Sequence, residues 1–67
     1  MTTRQENLGA LEALVDRHTL SGVLAMLSEI CGEKEAHIAT NWQDAALAKA
    51  WRKAELALDR LHVNIAI

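Results

Sequence analysis

The chain has 67 residues, so it makes one small domain, and its 51% apolar content comes mainly from Ala and Leu, with two Trp, no Phe and no Tyr. A net charge of −2, spread without a basic stripe, argues against nucleic acid as the main partner. The single Cys rules out an internal disulfide, and no stretch approaches the roughly 20 apolar residues of a membrane span.

The first predicted helix covers about residues 4–17. Thr3-x-x-Glu6 has the spacing of a capping box, in which the two side chains satisfy orphan amides at a helix start. Leu8, Leu11, Leu14 and Val15 then recur at three- and four-residue intervals along one face. The helix is expected to stop near His18, leaving Thr19 as the next N-cap.

A second helix is predicted over about 20–40, with a stripe of Leu20, Val23, Leu24, Leu27, Ile30, Cys31 and Ile38. Gly22 and Gly32 weaken it, each by about 1 kcal/mol relative to Ala. The punctuation that follows, Thr40-Asn41-Trp42-Gln43-Asp44, is the sharpest in the sequence, and Asn41-x-x-Asp44 reads as a capping arrangement. The third helix, about 44–62, carries Leu47, Trp51, Ala54, Leu58 and Leu61 on one face. An apolar tail, 63–67, closes the sequence with Val63, Ile65 and Ile67 alternating.

A short connection makes the second and third helices antiparallel. Folding at residues 40–43 pairs positions whose numbers add to about 85, an estimate from helical rise alone. Leu27 then meets Leu58, Leu24 meets Leu61, and Lys34 lays its stem beside Trp51.

The expected architecture is all-α: one domain over residues 1–67, an antiparallel helical hairpin plus an N-terminal helix, assembling into a small helical bundle. A chain this short buries only about 60% of its unfolded surface, so a solitary core is marginal and self-association is the default. Residues 1–6 lack the apolar run of a signal peptide, and a cytoplasmic protein is expected.

Cys31 lies on an apolar stripe without a neighbouring base, which makes it a small buried hydrophobe rather than a nucleophile. Neither a phosphate loop nor a catalytic triad order is present, and the expectation is no enzyme and no cofactor. His37 with Glu33, and His62 with Asp59, share helix faces at four- and three-residue spacing. A structural metal site takes about four ligands, so these residues are metal candidates only where oligomer symmetry doubles them.

The run Glu29-Ile30-Cys31, His37-Ile38, Asn41-Trp42-Gln43-Asp44 and Ala48-Lys49-Ala50-Trp51 resembles a pattern in short uncharacterised bacterial helical proteins. With Leu14-Val15-Asp16-Arg17-His18 the resemblance spans about residues 14–61. It implies a natural small module and carries no activity.

The function expected is protein binding, by an adaptor, regulator or accessory subunit. Its partners are a second copy, as a homodimer, and a larger protein; nucleic acid and membrane are not expected. The residues assigned to partner binding are Trp42 at the turn, Leu8 and Leu11 on the first helix, and Ile65 and Ile67 in the tail. The alternative is a bundle that binds a metal or small ligand between subunits.

Overall fold

The structure, a computed structural model, describes residues 3–67, apart from the side chain of Trp42. Helix α1 runs Arg4–His37 and α2 runs Ala45–Asn64, with a π-helical turn, Ile38–Trp42, following α1. The C-terminal part of α1 and the whole of α2 pack as an antiparallel hairpin.

Local chemistry accounts for each boundary. Thr3 opens α1 in an extended conformation, its Oγ1 accepting from the Glu6 amide at 3.2 Å. The Thr3 hydroxyl also sits 3.3 Å from Glu6 Oε1. At the other end of α1, the Asn41 side chain turns back and donates to the His37 carbonyl at 3.1 Å. Gln43 takes a left-handed conformation, φ 52 and ψ 32, which ends the turn. Asp44 then caps α2, its Oδ1 accepting from the Leu47 amide at 3.0 Å. The expected Asn41–Asp44 arrangement is therefore replaced: Asp44 caps forward and Asn41 bonds backward.

The separate N-terminal helix is corrected to a bend within one element. Thr19 alone leaves helical geometry, with φ 69 and ψ 161, and Arg4–His37 is otherwise continuous. The predicted capping role survives, since Thr19 Oγ1 accepts from the Gly22 amide at 3.1 Å. With no intervening loop, residues 4–18 form an arm and residues 20–37 form the stem of the hairpin. The apolar tail is also shorter than expected, because Val63 and Asn64 belong to α2. Asn64 Nδ2 donates to the Arg60 carbonyl at 2.8 Å and finishes that helix.

The hairpin seam mixes large apolar side chains with small and polar groups. On the stem, Leu24, Ser28, Cys31 and Ile38 are buried, at spacings of four, three and seven residues. Ala48 is buried on α2, with Trp51, Glu55, Leu58 and His62 half-buried in the same three–four alternation. That is the spacing of a two-stranded coiled-coil seam. Ser28 Oγ donates to the Glu55 carbonyl at 3.1 Å across it. At Gly32 the approach is close, since a Cβ there would sit 2.6 Å from Glu55 Oε2.

The register agrees with folding at the turn. Ser21–His62 and Ser28–Glu55 have numbers adding to 83, and Gly32–Glu55 to 87, which bracket the expected value. Lys34 and Trp51 line one concavity with Ile38 and Leu47, as that register requires.

The open end is held by a clasp. His62 Nδ1 lies 2.9 Å from Ser21 Oγ and 3.1 Å from the Ser21 carbonyl, so its N–H can donate to both. Ser21 Oγ donates to the His62 carbonyl at 3.2 Å. The Ser21 amide donates to the Ile67 carbonyl, which ties the end of the described chain to the start of the stem.

The result is an extended body. Its radius of gyration is 13.8 Å, whereas a compact chain of this length has about 11 Å. Residues 3–14 are exposed and Val15 half-buried, because the arm projects beyond the hairpin.

Candidate protein-binding face

Helical spacing sorts the remaining large side chains. On the stem Leu20 and Leu27 lie seven residues apart and Ile30 three further on, beside the seam rather than in it. They are 36, 37 and 47% exposed. On α2 Leu47, Ala54 and Leu61 repeat at seven, and the two leucines are 47 and 48% exposed. The two rows share one side of the hairpin, as the closed end demonstrates. There Lys34, one heptad after Leu27, lines a concavity with Leu47 and Trp51. The opposite side is where Gly32 meets the Glu55 carboxylate. One broad side is therefore an apolar strip, and the other carries the Glu55 carboxylate against Gly32.

The concavity at the closed end of the strip is open and measures about 530 Å³. Ile38, Leu47 and Trp51 form its apolar wall, with Lys34, His37 and Asp44 supplying polar groups. Asp44 is engaged as the cap of α2, and His37 Nδ1 sits 3.1 Å from Asn41 Nδ2. The concavity lies where the π-helical turn joins the two helices.

The residues assigned to partner binding scatter over the molecule. Leu8 and Leu11 stand on the arm, 52 and 48% exposed, with Leu14 beside them at 40%. Ile65 is half-buried, and Ile67 is 68% exposed with its carbonyl bound to Ser21. Trp42 lies in the closing turn, and its side chain is outside the described residues. Leu20, Leu27, Ile30, Leu47 and Leu61 were expected on the stripes of the hairpin helices, yet they lie exposed beside the seam. The signal that identifies them is the seven-residue repeat running beside the seam.

The metal candidates are not brought together. His37 is at the closed end and bonded to Asn41, while His62 is at the open end in the clasp with Ser21. Among the described residues no group of three or more His, Cys, Asp and Glu side chains could hold an ion. Cys31 is buried, 7% exposed, in keeping with a packing role. No described helix is long and apolar enough to cross a membrane.

Comparison with protein-family models, curated proteins and solved structures gave no match.

Proposed function

We propose that this chain is a protein-binding module that self-associates through the apolar strip and the arm, in the manner of an adaptor, regulator or accessory subunit. The observation that carries this reading is surface area. A compact monomer of 7.4 kDa exposes roughly 4,200 Å², while this chain exposes 5438 Å². The excess exceeds the roughly 800 Å² that each partner contributes to a standard interface.

The energetic case runs the same way. Among the described residues no side chain falls below 2% exposure, so the hairpin has a seam but no sealed core. Domains are stable as packed layers, each apolar face covered by another. Eight aliphatic side chains on the strip and arm are 36–52% exposed. Covering them is worth roughly 5–10 kcal/mol per copy before association costs. A second copy supplies the same surface in return, and symmetry makes such an interface self-complementary.

The test is Leu27→Asp, in the middle of the strip, compared with the unmodified chain by sedimentation equilibrium. A buried, unpaired carboxylate in each copy is expected to weaken association by more than tenfold. Equal association of the two proteins, with circular dichroism showing equal helicity, would refute the reading.

A further inference from the structure

The arm has no route onto the strip of its own hairpin. Two antiparallel helices need a connection of about 2–5 residues, and here Thr19 is the whole connection. Yet the arm and the stem match as if folded at that residue. Positions equidistant from Thr19 pair Leu8 with Ile30 and Leu11 with Leu27, all four of them exposed aliphatic side chains. At about 1.5 Å per residue, residues 4–18 span about 22 Å and the stem, residues 20–37, about 27 Å, so the arm fits within the length of a stem.

A sequence that matches itself across a point where the chain does not reverse can satisfy the match in a second molecule. We infer that each arm lies along the apolar strip of a second copy, so that two chains exchange N-terminal arms about a two-fold axis. This rests on the self-association reading and specifies its contacts. Leu11 of one chain packs at Leu27 of its partner copy, and Leu8 reaches Ile30. The bend supports the exchange: Thr19 has φ 69, a region unfavourable for a β-branched residue, and strained short hinges favour swapping over closure. The area fits as well, since the single chain exposes 5438 Å², more than the roughly 4,200 Å² of a compact monomer, and the arm and strip carry eight of its exposed aliphatic side chains.

The experiment uses full chains in a Cys31→Ser background, one carrying Leu11→Cys and the other Leu27→Cys. Each is checked for helicity by circular dichroism and for mass by sedimentation, then the two are mixed, left to exchange and oxidised. Arm exchange predicts that the disulfide joining the two different chains dominates the product. A dimeric mass with no mixed disulfide, or with crosslinks chiefly between Leu27→Cys chains, overturns the exchange and leaves self-association standing. A monomeric mass in the reduced chains overturns both. If either variant fails to fold, Leu8→Cys paired with Ile30→Cys reads the same register.

Discussion

Replacing Thr19 separates two roles that this residue combines. Its φ of 69 and ψ of 161 lie in a region adopted almost solely by glycine, which costs about 1–3 kcal/mol for other residues. Against that, its hydroxyl caps the stem through the Gly22 amide. Thr19→Ala keeps the strain and loses the cap, so it is expected to destabilise by about 1 kcal/mol. Thr19→Gly removes the strain, loses only a few tenths of a kcal/mol in capping, and adds about 0.5–1 kcal/mol of unfolded-state entropy. The glycine variant should therefore range from neutral to about 2 kcal/mol more stable than the parent. Between Gly and Ala the gap is about 1–3 kcal/mol, and each kcal/mol moves the midpoint of a chain this size by about 4–8 °C. Thermal unfolding followed by circular dichroism measures it, at one fixed protein concentration because association couples to stability. Equal midpoints for the two variants, or a more stable alanine variant, would refute the strained bend.

Three further substitutions probe the hairpin. In Gly32→Ala the new Cβ meets only the mobile carboxylate end of Glu55, so helix propensity should prevail and raise stability by about 0.5–1 kcal/mol in urea unfolding; a loss would mean that Glu55 cannot move aside. Ser28→Leu forces a large side chain into the seam and removes the bond to the Glu55 carbonyl, with an expected loss of about 2–3 kcal/mol by the same measurement. His62→Ala removes the contacts to the Ser21 carbonyl and hydroxyl, so the urea midpoint should fall by an amount equivalent to about 1–2 kcal/mol. An unchanged midpoint would show that the clasp contributes nothing.

The hairpin was legible in the sequence because its signals are local. Thr3, Thr19 and Asp44 are short polar residues placed where a helix must start, and each caps the amide three positions on. The register followed from the position of the turn and the fixed rise of a helix. The seam was legible in part: Leu24, Cys31, Ile38, Trp51 and Leu58 lie on the predicted stripes, whereas Ser28 and Ala48 do not. Hydropathy favours Leu27 and Leu61 as contacts, yet close packing of two helices selects Ser28, Cys31, Gly32 and Ala48, which let the backbones approach. The leucines are displaced by one helical step and left half-exposed.

The first helix was misread for a related reason. Thr19 carries the signals of both an end and a beginning, and sequence alone does not show that one residue can bend the chain without a loop. Of the residues first assigned to binding, Leu8 and Leu11 stand exposed on the arm, whereas the tail is partly engaged through Ile67 and Ser21. Whole-strip exposure depends on which side of each helix the seam occupies, and that is a property of the packed pair.

The central claim is that a second copy covers the strip and arm, and solution mass tests it most directly. Multi-angle light scattering of the unmodified chain, across a concentration series up to about 100 μM, should give a species of twice 7.4 kDa that dissociates only on dilution. A helical species of 7.4 kDa at every concentration would contradict the account.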